Sequence, residues 1–444
     1  MNSRNNSDKF LLESMTIVNY RCFDRLDLNF SPGFNVIVGD NGSGKSSILN
    51  GLATSLGTWF LGLPEVKSKD IHEEEVREVR RREGDIVNFY KKGECVLSST
   101  GSIFGDTLSW SRTKFGGGTT YKKSESLIEK SKAYDERLTS GKHITLPIIS
   151  YYGTGRLWGH RNLGVVKKTK VPEEPMKSNR YTGYLNALDP ASNEMVLKRW
   201  VSELAKASFH EGRMFESLNV VYEAISNNIE GASRVFWGAQ DDDLLIEFEA
   251  GDIVPMYLLS DGQRNVCATI GDIAMRCVQL NPHLEHDAVF KTPGVVLIDE
   301  IDLHLHPKWQ RKIVNSLKNT FKNIQFIVST HSPFIIQSLK KSELIMLTPE
   351  KAVNASMNEE LGIEDTIERF MGLENVIRSE LFNQTVKLGK EVFELEDRLR
   401  NARPESEEYN ELQGLIDMLR KKLTKDSAFI SDNPLITAFL KAKL

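Results

Sequence analysis

Eight residues near the start of the chain, Gly39-Asp40-Asn41-Gly42-Ser43-Gly44-Lys45-Ser46, match G-x-x-x-x-G-K-[ST], a spacing that can cradle phosphates. Glycines at 39, 42 and 44 let successive backbone N–H groups turn inward around an anion. A helix starting at the lysine adds the positive end of its dipole. Lys45 has the length to reach β and γ phosphates, the Ser46 hydroxyl can bind Mg²⁺, and Ser47 continues the same turn. The alternative is a chance glycine-rich turn, which the apolar strand before the loop and the amphipathic pattern after it argue against.

Three further clusters fit the same chemistry. The apolar run 295–298 ends in Asp299 and Glu300. A strand buried on both faces delivers such carboxylates at its carboxyl end, where open α/β sheets bind ligands. Asp299 is expected to position Mg²⁺ and its waters, and Glu300 to orient or deprotonate a water attacking the γ-phosphate. Taken alone, the pair also fits an ordinary strand ending in a solvated turn. Leu259-Ser260-Asp261-Gly262-Gln263-Arg264 precedes a helical stretch, so Ser260, the Gly262 N–H and Gln263 form a second anion site or a plain helix cap. Ser329-Thr330-His331-Ser332-Pro333 closes another apolar strand, as a γ-phosphate contact through His331 or as a Ser/Pro capping turn. His304 and His306, two apart with no third ligand nearby, are a weak metal signal.

The elements that must hold these residues can be read from periodicity. Residues 11–30 alternate as a strand pair around a turn at 21–24, and 34–38 is a short strand feeding the glycine loop. A helix is expected over 45–61, with Ile48, Leu49, Leu52 and Leu56 on one face. Residues 64–143 change composition and read as an inserted region of short strands with a helix near 122–137. A strand at 144–152 returns to the core, and 163–190 reads as a long loop. Helices are expected at 193–208 and 211–229, strands at 233–238, 243–249 and 253–258, then a helix at 262–280. Strands at 295–298, 325–329 and 344–347, with a helix at 333–340, complete an alternation that implies a mostly parallel sheet. Beyond 363 the chain is charged and helical, split at Ala402-Arg403-Pro404 into a hairpin. Four regions follow: 1–152, the N-terminal part of the phosphate-loop lobe with the inserted region; 153–284, a helical and β subdomain ending in the helix at 262–280; 285–348, the C-terminal part of that lobe; 349–444, a helical interaction region.

Bulk composition excludes several classes. Over 444 residues, 40% are hydrophobic and 27% charged, the balance of a soluble globular protein. A formal net charge of −4 provides no global basic field, so any DNA contact must be local. The four cysteines lack C-x-x-C spacing, which fits a reducing compartment better than a zinc site. The polar amino terminus lacks a signal-peptide core, and no apolar run reaches about 18 residues, so a cytoplasmic protein without membrane spans is expected.

The ordered set of motifs resembles the ABC ATPases of the SMC and RecF branch. That resemblance implies an α/β ABC-type P-loop ATPase head with a mixed sheet, a helical signature subdomain and a C-terminal helical hairpin. It also implies ATP and Mg²⁺ as ligands. Residues 259–264 stand where that family has its signature, with Asp261 replacing a glycine; the signature acts in trans, on nucleotide held by a second subunit. Residues 302–307 would be the D-loop, crossing that dimer interface, and His331 the switch histidine. Arg21, in Asn19-Tyr20-Arg21, matches a basic residue ahead of the phosphate loop in such proteins, and the resemblance implies that it reaches the nucleotide. Within the branch, DEIDLHLHP at 299–307, STHSP at 329–333 and LLSDGQR at 258–264 are similar to the Septu (PtuA) family of anti-phage ATPases, also found beside some retrons. This implies a homodimer or higher homo-oligomer and a separate HNH nuclease subunit, PtuB-like.

Departures from the family limit the reading. The Q-loop glutamine is absent, since the strand there ends Ser150-Tyr151-Tyr152-Gly153-Thr154-Gly155-Arg156; Arg156 is the candidate substitute. This bears on the rate of hydrolysis more than on binding. Lys45 and Asp299 are 254 residues apart, too few for a long coiled-coil arm, and too little chain follows residue 350 for a Toprim nuclease. A RecF-like repair ATPase and a nucleotide-stabilised scaffold with little turnover remain as alternatives. Arg77, Arg80, Arg81 and Arg82, and Lys167, Lys168 and Lys170, are candidate DNA phosphate contacts or solvated faces. The helices over 376–424 are a candidate platform for a second protein, or pack internally.

Overall fold

A computed structural model describes residues 9–83, 86–155, 179–190, 194–347, 352–354, 395, 398, 399 and 407–426. Two compact units result, Met1–Leu305 with Lys312–Glu360, and His306–Arg311 with Leu361–Leu444.

The first unit opens with β1 (Phe10–Tyr20), β2 (Phe23–Asn29) and β3 (Phe34–Val38), then α1 (Lys45–Leu56). Next come β4 (Glu78–Glu83), β5 (Ile86–Lys91), β6 (Cys95–Ile103), β7 (Asp106–Lys114), β8 (Thr119–Thr120), α2 (Glu125–Thr139) and β9 (Ile148–Tyr152). The middle of the chain forms α3 (Glu194–Glu211), α4 (Glu216–Ser226), β10 (Ala232–Gly238), β11 (Asp243–Phe248), β12 (Ile253–Pro255), α5 (Asp261–Leu280) and α6 (Ala288–Lys291). The chain goes on with β13 (Gly294–Ile298), α7 (Pro307–Thr320, whose residues 307–311 are counted in the second unit), β14 (Ile324–Ser329), α8 (Pro333–Ile336), β15 (Leu344–Leu347) and β16 (Ala352–Asn354).

Two sheets carry the unit. One is six-stranded in the order β16-β15-β3-β14-β13-β9, parallel except for β16. Every residue of β3, β9, β13 and β14 is buried, which their unbroken apolar runs anticipate for a sheet covered on both faces. The other sheet is five-stranded, β2-β1-β6-β7-β8, and antiparallel. Its central β6 alternates buried and half-buried residues, the period of a strand with one face on the core. Residues 95–120 therefore complete the sheet that β1 and β2 begin; the stretch read as inserted supplies structural strands of the lobe. A smaller sheet, β10-β11-β12, lies beside α3 and α4.

Helix α1 packs against β1, β6 and β7 of one sheet and β9, β13 and β14 of the other. It is therefore buried nearly all round, polar positions Asn50, Thr54 and Ser55 included. These find partners: Ser55 Oγ lies 2.7 Å from Ser99 Oγ, and the Trp110 indole donates to the Ser55 carbonyl at 3.0 Å. The two sheets are also stitched through Gln325 of β14, whose amide exchanges hydrogen bonds of 2.8 Å with the N–H and C=O of Leu12 on β1. The helix ends earlier than its apolar stripe suggests. At Gly57 the chain tightens into a 3-10 turn through Gly62, which seats Trp59 against Phe10, Phe104 and Tyr134.

Helix α7 had no counterpart in the sequence reading. Only Ile313, Val314 and Leu317 of its 14 residues are buried, a stripe too narrow to stand out among lysines and asparagines. Pro307 at its first position was the available start signal.

In the second unit, α9 (Glu407–Asp426) buries Ile416 and Leu419, and Leu395 and Leu399 pack against them. That pairing is the arrangement expected of a helical hairpin. Arg156, Lys167, Lys168, Lys170 and most of the residues expected to form the first C-terminal helix fall outside the described residues.

Candidate functional site

Strands β3, β14 and β13 are consecutive neighbours running parallel, so their carboxyl ends lie side by side. Those ends carry the glycine loop, His331, and the pair Asp299 and Glu300 respectively. Three motifs spread over nearly 300 positions of sequence thus share one sheet edge.

In the loop, Gly42 and Gly44 take positive φ values of 79° and 95°. Gly44 is the N-cap of α1, with no side-chain cap. A Cβ there would also lie 2.4 Å from the Phe23 ring and 2.7 Å from Cys22 Sγ, so only glycine fits on both counts. The Lys45 ammonium is folded onto the loop, donating to the carbonyls of Gly39 at 2.8 Å and Asp40 at 2.9 Å. Burial pushes its pKa down, while the carboxylates of Asp299, Glu300, Asp40 and Asp302 pull it back up. The lysine therefore lies within electrostatic reach of the acids on β13. Ser43 Oγ is buried without a hydrogen-bond partner among the described residues. Gly39 and Asn41 complete the loop, and Ser46 and Ser47 occupy the first turn of α1.

The acids are held by hydroxyls at the end of β14. Ser329 Oγ donates to Asp299 Oδ1 at 2.5 Å and accepts the Glu300 N–H at 2.8 Å. Thr330 Oγ1 donates to Asp302 Oδ1 at 2.5 Å. Asp299 is only 3% exposed, and Glu300 sits at φ 47°, a conformation that non-glycine residues adopt at a cost. His331 is exposed between buried Thr330 and Ser332. The sequence reading gave Ser329 and Thr330 no role, although hydroxyls directly following a buried strand beside a carboxylate strand were the signal.

The signature residues start α5 as a capping box. Ser260 accepts the Gln263 N–H at 3.4 Å, and the Gln263 side chain accepts from the Ser260 hydroxyl at 2.9 Å. Ser260 and Asp261 are exposed, as are Tyr257 and Leu258 just before them. Gly262 lies against residues 304 and 305 of its own chain: a Cβ there would stand 2.6 Å from the His304 carbonyl oxygen. Asn265 donates to the Leu303 carbonyl at 3.1 Å. Below the cap, Arg264 forks onto buried Glu194 of α3 at 2.9–3.3 Å.

Two buried networks tie these parts to the scaffold. The Tyr152 carbonyl, where a Q-loop glutamine would follow, accepts the Asp299 N–H at 2.8 Å. The Tyr152 hydroxyl donates to Asp272 of α5 at 2.6 Å, and Asp272 pairs with Arg276 at 2.7 Å. Burial first, then Asp272, pushes the Tyr152 phenol well above its ordinary pKa. The second network centres on Glu75. Its Oε1 accepts from Arg21 at 2.7 Å and Tyr20 at 2.9 Å, and also from Asn50 of α1. Arg21 is thus placed with its guanidinium on a carboxylate beside α1. Burial opposes the charge on Glu75, yet the His72 N–H and Arg21 hold its carboxyl below the usual range.

The residues fit a nucleotide with Mg²⁺. An uncapped helix start, a lysine resting on replaceable carbonyls, the orphan Ser43 hydroxyl and one buried carboxylate suit triphosphate oxygens, since Mg²⁺ takes only one or two protein carboxylates beside phosphate. No group of three or more His, Cys, Asp or Glu residues poised for a metal occurs among the described residues.

A family model described as "AAA domain" matches residues 14–209, and one described as "AAA domain, putative AbiEii toxin, Type IV TA system" matches residues 176–337. Both matches are to ATPase-type domains, in keeping with the phosphate loop described above. The particular resemblance is to the ATPases of retron and Septu systems. The "Retron Vc95 probable ATPase" of Vibrio cholerae serotype O1 biovar El Tor is 27% identical over 390 residues, covering 76% of this chain and 74% of that protein. The "Septu protein PtuA" of Bacillus thuringiensis is 24% identical over 383 residues, covering 81% and 84%. Among solved structures, the SMC head bound to the C-winged helix domain of ScpA aligns at 17% identity and a TM-score of 0.48, over 78% of this chain and 98% of that one. No helix among the described residues is long and apolar enough to cross a membrane.

Proposed function

We propose that two copies of this chain close around ATP and Mg²⁺, and that the closed state controls a separate nuclease in anti-phage defence. The reading is supported by one observation above others: the phosphate loop, the hydroxyl-held acids and His331 occupy one sheet edge, while the Ser260 cap points its exposed end at solvent. In this reading the loop N–H groups and Lys45 hold the triphosphate, with Lys45 leaving the Gly39 and Asp40 carbonyls for phosphate oxygens. Ser46 and Asp299 hold Mg²⁺, which neutralises charge building on the phosphates. Glu300 takes a proton from the attacking water or orients it, and His331 contacts the γ-phosphate. Ser260, Gly262 and Gln263 of one copy complete the site of the other. Arg21 reaches nucleotide only by leaving Glu75.

The nuclease is proposed as an HNH subunit on the strength of the Septu resemblance, in a cytoplasmic complex. Steady-state ATPase assays test the site: Glu300→Gln is expected to lower turnover by about 10²-fold or more, while ATP shifts the variant to a dimer in size-exclusion chromatography. Equal rates for wild type and variant would refute the role given to Glu300. Tyr152 in place of a Q-loop glutamine favours a second reading, a nucleotide-stabilised scaffold with slow turnover. Copurification from the native operon separates both from a RecF-like repair ATPase, which needs no nuclease.

A further inference from the structure

Strands β4 and β5 pair only with each other among the described residues, forming a two-stranded ribbon outside both main sheets. Residues 77–92, which span it, contain six basic and three acidic residues in a chain of net charge −4. The ribbon also exposes aromatic rings that its own fold does not bury: Phe89 is 56% exposed and Tyr90 44%. Each ring has an arginine over it, with Arg80 5.1 Å from the Phe89 centroid and Arg81 5.7 Å from that of Tyr90. Because the register pairs Arg80 with Phe89 and Val79 with Tyr90, the two ring–arginine units lie on opposite faces.

We infer that this ribbon is a binding surface for single-stranded DNA. Arginines supply the phosphate contacts, and a flat ring beside a guanidinium supplies a platform for an unpaired base. A duplex would use the arginines and leave the rings idle, because its base faces are already stacked. The Phe89 face presents Glu78, Arg80, Arg82, Val87 and Lys91, without the neutral amide and hydroxyl that Asn88 and Tyr90 put on the other face, so the Phe89 face is the one assigned to DNA. The surface continues past the ribbon. Glu73 accepts from Lys91 at the root of β5 and lies 3.5 Å from Lys114 of β7, where exposed Phe115 and Tyr121 follow. The root is also tied toward the phosphate loop: Arg77 donates to the Cys22 carbonyl, and Cys22 packs against Gly44.

The test uses the full chain without nucleotide, so that its outcome is independent of the ATP reading. Fluorescence anisotropy would follow a labelled oligothymidylate of about 20 nucleotides, longer than the ~4–16 that a single binding fold covers. Matched duplex DNA and oligouridylate are the comparison ligands. Phe89→Leu, which keeps an apolar side chain but removes the flat face, is expected to weaken single-strand binding about 5- to 150-fold. Arg80→Gln with Arg81→Gln is expected to lower the slope of log affinity against log salt by about 1.4. Unchanged thermal midpoints and ATP binding in these variants would show that the fold survives. No binding to oligothymidylate, tighter binding to duplex or to oligouridylate, or indifference to Phe89→Leu would each overturn the inference.

Discussion

The edge of the parallel sheet and the start of α5 carry the two halves of the proposed site in opposite ways. At the sheet edge, chemistry sits on buried backbone: Asp299, Ser329 and Thr330 are at most 3% exposed, and each polar group is fixed by a neighbour on the adjacent strand. At the start of α5 Ser260 and Gln263 satisfy each other within a single turn, with Ser260 exposed, while Gly262 is pinned from behind. The contrast separates residues whose geometry one chain completes from residues that one chain only presents. The first group should couple activity to stability; the second should allow activity to be lost while the fold stays intact.

The largest stability effect should arise where the two regions are joined. Arg276→Met strands Asp272 as a buried charge and is expected to cost about 3–5 kcal/mol in urea unfolding. A loss under 1 kcal/mol would mean that the Tyr152–Asp272–Arg276 link does not couple α5 to β9. Gly262→Ala should cost about 1–3 kcal/mol, because its Cβ meets backbone rather than a movable side chain. Gly33→Ala, with nothing within 4 Å of its Cβ, is the matched control; equal losses would erase the distinction. Ser260→Ala removes a long cap bond and should cost about 1 kcal/mol or less, yet depress ATP turnover far more than that figure converts to. Turnover that falls only in proportion would place Ser260 outside the site.

The smallest effect is a pH dependence. Glu75 has a depressed pKa when folded, so its contribution is complete above the unfolded carboxylate value of about 4.3 and is lost as pH falls through the lower folded value. Glu75→Gln should flatten the acid limb of the stability curve there and leave neutral-pH turnover little changed. An unaltered acid limb would show that the carboxylate is not held by Arg21 and His72 as described.

Much of this was legible in the primary structure because the relevant signals are local. The phosphate loop, the apolar runs ending at Asp299 and Ser329, and the cap at Ser260 are each written in fewer than ten consecutive residues, and their strand and helix assignments follow from period and turn chemistry alone. The signals that failed were those spread thin or shared between elements. Helix α7 buries three residues, Ile313, Val314 and Leu317, among charged and polar ones, and the strands of residues 95–120 declare no partner until β1 is beside them.

Residue order by itself determined which groups capable of phosphate chemistry exist and which strand or helix carries each, since those choices depend on neighbours a few positions away. Tertiary structure alone decided that Ser329 bonds Asp299 and the Glu300 N–H, that Thr330 bonds Asp302, that Tyr152 reaches α5, that Arg21 rests on Glu75, and that β4 and β5 stand apart with their rings exposed. These depend on which strands lie side by side, and strand order is set by burying whole faces of sheet and helix together, a property of the folded chain that no short segment contains.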